Sequence, residues 1–110
     1  MRAVARRKEA PPACCSLAID GGDQKRFVRM LKAAGNPLRF EVLKFLVTHP
    51  GCITGNIIDY LSLAQSTVSQ HLKVLREAGW ITGEIEGPAT SYQLNPEAIS
   101  WFRTVVKSIL

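Results

Sequence analysis

A chain of 110 residues suits one domain with a modest core, and 46% hydrophobic residues mark it as globular, not disordered. No apolar run approaches the roughly 20 residues of a membrane span, and no apolar stretch follows the basic N-terminus. Neither a transmembrane helix nor a signal peptide is expected, so the chain is assigned to the cytoplasm with no membrane partner. The net charge of +5 argues only mildly for nucleic acid. Arg2, Arg6, Arg7 and Lys8 against Glu9 supply three of those five charges, which leaves ten basic and eight acidic residues from Asp20 onward.

In chain order, residues 1–19 contain Pro11-Pro12 and little periodicity, and read as an arm preceding a domain over 20–110. Gly21-Gly22 marks the junction. A first helix is expected from about Asp23 to Ala34, with Phe27, Leu31 and Ala34 as its buried stripe, flanked by Val28 and Met30. Lys25, Arg26, Arg29 and Lys32 fall outside that stripe. Asn36-Pro37 is a strong start signal: asparagine caps free N–H groups, and proline loses nothing at the first helical position. The second helix then runs from Pro37 to about Thr48, burying Leu38, Val42, Phe45 and Leu46, until Pro50-Gly51 breaks the chain. Thr54 is the expected cap of a short third helix ending at Leu61, with Ile57, Ile58 and Leu61 facing inward.

Only Ser62-Leu63-Ala64 separates that helix from the next, a tight turn of the helix-turn-helix kind. In the fourth helix Val68, Leu72 and Leu75 share one face and should be core. Ser66, Ser69, Gln70 and Lys73 face outward. A plain amphipathic helix has the same period, but this polar face holds one charge and several short or planar hydrogen-bonding groups near the helix start. Glutamine can read adenine edges, and serine can bond bases or phosphates. Ala64 at the N-cap offers no side-chain acceptor, whereas Gly79 suits a left-handed C-terminal stop. A hairpin follows, with strands over Trp80–Ile85 and Thr90–Leu94 and a turn at Glu86-Gly87-Pro88-Ala89. Asn95-Pro96 opens a last helix that is apolar over much of its circumference. So small a domain cannot bury all of that surface alone, which points to a homodimer interface shared with the first helix. The fold class is mainly α with a small β-hairpin.

The stretches Leu31-Lys32-Ala33-Ala34-Gly35-Asn36-Pro37-Leu38-Arg39-Phe40-Glu41-Val42-Leu43 and Gln65-Ser66-Thr67-Val68-Ser69-Gln70-His71-Leu72-Lys73-Val74-Leu75-Arg76-Glu77-Ala78-Gly79 closely resemble the ArsR/SmtB family of winged helix-turn-helix repressors. The resemblance covers roughly residues 25 to 105. It implies a homodimer that binds double-stranded operator DNA and is released by an inducer. It maps the family's DNA-contacting positions to Gln65, Ser66, Thr67, Ser69, Gln70, His71 and Lys73. Periodicity puts His71 at the flank of the buried face, so packing or phosphate bonding suits it better than metal ligation. The sequence departs from the family at the inducer sites. The usual cysteine pair of the third helix falls on Ile53 and Gly55. The last helix has no histidine and only Glu97 as a carboxylate for a zinc site there. The wing tip carries no arginine.

The cysteines that remain are Cys14, Cys15 and Cys52. An odd count in a cytosolic chain argues against a disulfide framework. Some arsenic-sensing members of the family look similar, with an N-terminal vicinal pair joined across the dimer to a third cysteine. Three thiolates suit arsenite or antimonite as inducer, with no organic cofactor; zinc would want a fourth ligand, and His49 is near enough in sequence to supply it. From Cys15 to Asp23 there are some eight residues, a span of at most ~28 Å, which allows either the chain's own Cys52 or the partner's. A thiol redox or persulfide sensor of the same fold and a winged-helix protein-interaction module are the alternatives. No Ser-His-Asp set, carboxylate pair or glycine-rich phosphate loop can be assembled, so an enzyme is not expected.

Overall fold

The computed structural model describes residues 19–109. The elements run α1 (Gly21–Ala34), α2 (Pro37–Thr48), β1 (Cys52–Ile53), α3 (Thr54–Leu61), α4 (Gln65–Ala78), β2 (Ile81–Glu86), β3 (Ala89–Leu94) and α5 (Pro96–Ile109). Among the described residues there are five helices and one small antiparallel sheet of order β1-β3-β2. No helix among the described residues is long and apolar enough to cross a membrane.

The two Asn-Pro devices act as expected. Asn36 Oδ1 accepts from the N–H groups of Leu38 (2.9 Å) and Arg39 (3.1 Å), and Asn95 Oδ1 accepts from Glu97 (3.1 Å) and Ala98 (3.3 Å). Each satisfies donors that the first turn of a helix leaves unpaired. The start of α3 differs from expectation. Thr54 is its first helical residue, not its cap, and the Asn56 side chain reaches back to accept from Ile53 N–H at 3.0 Å. Ser62 closes α3 at a φ of 57°, a left-handed conformation uncommon for a residue with a side chain, and so turns the chain sharply into α4.

The core is built from Val42, Leu43 and Leu46 of α2, Ile57 of α3, Val68, Leu72 and Leu75 of α4, and Ile81 and Tyr92 of the sheet. The expected stripe of α4 is therefore the buried one. That of α1 is not: Phe27, Met30 and Ala33 are buried, whereas Leu31 is 46% exposed and Ala34 only half-buried. Neighbours set this angle. Phe27 stacks on Phe102 of α5 with centroids 5.0 Å apart, and the Met30 carbonyl accepts from the Trp80 indole N–H at 2.8 Å. Leu38, also expected inside, sits at the start of α2 with 36% exposure.

Strand β2 is shifted one residue later than expected and β3 begins one residue earlier, with Glu86 opposite Ala89 and only Gly87-Pro88 between them. Gly87 has a φ of 64°, as a two-residue turn of this hand requires at its first central position. The third strand, β1, was not anticipated. Cys52 pairs with Tyr92 and Ile53 with Ser91, which fastens the segment before α3 to the wing. In α5 only Ala98 is fully buried, and Val28, Leu31 and Ile109 leave an apolar surface on α1 and α5.

Candidate nucleic-acid interface

Helix α4 starts after Ala64, which makes no side-chain cap, and ends in a well-formed stop. Gly79 N–H bonds the Arg76 carbonyl (3.1 Å) and Trp80 N–H the Leu75 carbonyl (3.0 Å), the paired pattern of a Schellman motif, with Gly79 at a φ of 95°. The Trp80 ring then packs on Phe102 with centroids 4.9 Å apart. Helix α4 is thus anchored at its C-terminal end and along its buried face, while its N-terminal turns stand clear.

Of the seven positions expected at DNA, Gln65, Ser66, Thr67, Ser69, Gln70 and Lys73 are exposed. Their side chains make no hydrogen bond or salt bridge among the described residues, so donors and acceptors are presented to solvent along two turns of one helix. His71 is half-buried and differently engaged. Its Nδ1 lies 3.5 Å from an Arg39 guanidinium nitrogen, at the outer edge of hydrogen-bonding distance. Guanidinium only donates, so Nδ1 is the acceptor and the ring proton sits on Nε2. Arg39 itself is held by a 2.8 Å bond from its Nε to the Ala33 carbonyl at the end of α1. Sequence reading had no signal for Arg39, because its partners come from two other helices.

Burial, and next the Arg39 charge, lower the His71 pKa from its ordinary value of 6.5. As pH falls through 6.5 the unfolded chain takes the proton before the folded one does, so this group's stabilising contribution, complete above 6.5, is lost towards the lowered value. Thermal melting should consequently decline between pH 7 and pH 5, and less steeply in His71→Gln. Equal slopes in the two proteins would show that His71 is not the group responsible.

Cys52, 9% exposed, is the first residue of β1 and lines a surface cleft of about 470 Å³ between α2 and α3 with Phe45, His49, Asn56, Asp59 and Tyr60. Burial pushes its thiol pKa up. The His49 ring stacks on Phe45 at 4.2 Å, with Nδ1 3.1 Å from the Phe45 carbonyl oxygen and 2.9 Å from Thr48 Oγ1. No group of three His, Cys, Asp or Glu side chains able to hold a metal forms among the described residues. Cys14 and Cys15 lie outside the described residues.

The sequence profile of the arsR family of bacterial regulatory proteins matches residues 36–82, from the cap of α2 through α4 to the start of the wing. A solved structure described as a possible transcriptional regulator for arsenical resistance superposes with a TM-score of 0.66 at 30% identity, covering 73% of this chain and 82% of that one. The chain belongs to the ArsR family. It is a transcriptional regulator of the DNA-binding, winged helix-turn-helix kind and not an enzyme. It is 37% identical over 65 residues to the transcriptional repressor SmtB of Mycobacterium tuberculosis, covering 59% of this chain and 47% of that protein. It is also 28% identical over 76 residues to the arsenical resistance operon repressor of Bacillus subtilis, covering 69% and 72% respectively. Within this ArsR-family chain the matched segment contains the whole helix-turn-helix and the six exposed positions of α4.

Proposed function

We infer that this regulator is a homodimeric, cytoplasmic repressor that reads an operator with α4 and leaves it when cysteine thiolates take up arsenite or antimonite. The observation that carries the DNA part is the outward face of α4, where Gln65, Ser66, Thr67, Ser69, Gln70 and Lys73 stand exposed, with no side-chain hydrogen bond among the described residues. An interaction module would more often expose hydrophobic groups there. His71, with Nδ1 accepting from Arg39, keeps an Nε2 proton that suits a phosphate oxygen. The exposed apolar surface of Val28, Leu31 and Ile109 supports dimerisation through α1 and α5.

The inducer part rests on Cys14, Cys15 and Cys52 and on similarity to two proteins described in terms of arsenical resistance. Cys52 supports it by position, lining an open cleft and starting a strand that is paired to the wing. Burial raises its thiol pKa, so uptake of a metalloid there would release a proton and strengthen as pH rises. Because α1 begins at Gly21, only five residues separate it from Cys15, a tether of at most ~22 Å.

Binding to DNA upstream of the chain's own coding region tests the α4 assignment. Gln70→Ala should lose discrimination between operator and unrelated duplex, at a cost of roughly 1–3 kcal/mol. Lys73→Ala should weaken both duplexes alike and flatten the dependence on salt. Unchanged affinity in both variants would sink the assignment.

A further inference from the structure

Helix α1 has three faces. One holds Phe27, Met30 and Ala33 in the core, and a second carries the exposed apolar side chains Val28 and Leu31. The third is basic, with Lys25, Arg29 and Lys32 recurring at i, i+4 and i+7. Arg29 and Lys32 line a cleft of about 200 Å³ with Arg39 of α2 and Val74 and Glu77 of α4. Three cations thus converge from two helices on the flank of the recognition helix, against the single carboxylate of Glu77. The salt bridges among the described residues are Arg26–Glu97 and Lys44–Glu41, so none of the three is neutralised by one. Arg39, through His71, links this cleft directly to the face of α4 that carries Gln70 and Lys73.

The wing has the opposite character. From Ile81 to Leu94 it contains Glu84 and Glu86 and no lysine or arginine, and Ile85 at its tip is 82% exposed. Such a hairpin repels a phosphate backbone. Affinity for a duplex depends on neutralising phosphates, so the cations that do this must lie elsewhere on the chain. Glu77 follows Lys73 by one helical turn, so the cleft lies against the last turns of α4, one turn beyond the outermost position expected at DNA.

We propose that the cleft between α1, α2 and α4, lined by Arg29, Lys32 and Arg39, is a docking site for the DNA phosphate backbone and takes over the contact that the acidic wing does not make. This rests on the operator-binding reading of α4. Arg29 and Lys32 are the phosphate-contacting cations. Arg39, already bonded to Ala33 and His71, sets the floor of the site and keeps the recognition helix in register with it.

The test is the dependence of duplex affinity on salt, measured by fluorescence anisotropy for the full chain on operator and on unrelated duplex. Arg29→Gln combined with Lys32→Gln should lower the slope of log affinity against log salt by about 1.8 per bound protomer, at ~0.9 per phosphate contact. That equals roughly thirtyfold weaker binding per protomer at about 0.15 M, alike for both duplexes. Glu77→Gln should tighten both. Lys44→Gln, which removes a cation outside the cleft, should leave the slope unchanged. Both α1 side chains are exposed and make no salt bridge among the described residues, so melting temperature and dimer content should stay those of the unsubstituted chain. An unaltered slope in the double variant overturns the proposal, as does an equal change in Lys44→Gln, which would mean bulk charge alone. A loss confined to the operator also overturns it. If the unsubstituted chain binds no duplex at all, the α4 reading has failed; if it binds, and Lys73→Ala alone flattens the slope, only the cleft has failed.

Discussion

Leu72→Ala is expected to destabilise the domain by about 2–5 kcal/mol, the largest single-residue effect anticipated here. Leu72 is 1% exposed and sits in the core with Val42, Leu46, Ile57 and Val68. Truncating it loses the burial of a full aliphatic side chain, and it leaves a cavity where α2, α3 and α4 meet. Single domains are stable by only about 5–15 kcal/mol, so such a loss is a large fraction of the total. It acts on function too, because the same helix carries Gln70 and Lys73 on its outer side. The midpoint of urea unfolding measures it, with Lys73→Ala as the neighbouring reference. That exposed substitution should stay within about 0.5 kcal/mol of the unsubstituted chain. A Leu72→Ala midpoint equal to that of Lys73→Ala would mean that α4 is not seated as described.

The second large effect concerns the cysteines. Sequestering a metalloid by Cys14 and Cys15 of one protomer and Cys52 of the other should lower DNA affinity about 5- to 150-fold, equivalent to a coupling of ~1–3 kcal/mol. The β1 pairing gives a route for this coupling. Cys52 is bonded through β1 to Tyr92 of β3, and Gly51 N–H donates to the Tyr92 carbonyl at 2.9 Å, so a pull on Cys52 is also a pull on the wing. A mixed dimer distinguishes the two arrangements of the site. One protomer carries Cys52→Ser and the other Cys14→Ser with Cys15→Ser. A cross-chain site leaves one complete set in such a dimer, so arsenite should still release DNA. A within-chain site leaves none, and release should vanish.

The features carried by local chemistry were readable from the residues alone. Asn36-Pro37 and Asn95-Pro96 marked two helix starts, Gly79 marked a helix stop, and the spacing of Val68, Leu72 and Leu75 gave the buried face of α4. These signals lie within one or two turns of the residues they govern. The misreadings share a different origin. Whether Leu31 or Met30 of α1 turns inward depends on where Phe102 and Trp80 arrive, and both are far along the chain. A two-residue strand such as β1 has no periodicity of its own and exists only through its pairing with β3. Arg39 carried no signal, since nothing near it in sequence announces His71 or the Ala33 carbonyl. For the candidate site, then, the exposed groups on α4 were legible, and the cations that flank them from other helices were not.

Titrating operator DNA with this protein, with and without arsenite, tests the central claim most directly when the unsubstituted dimer is set beside one carrying Cys14→Ser, Cys15→Ser and Cys52→Ser together. Anisotropy should show tight binding by both proteins without arsenite. With arsenite, only the dimer that retains its thiols should weaken, by about 5- to 150-fold. Release of DNA by arsenite from the dimer lacking all three cysteines would contradict the account, as would a cysteine-bearing dimer that holds its operator unchanged while arsenite is bound.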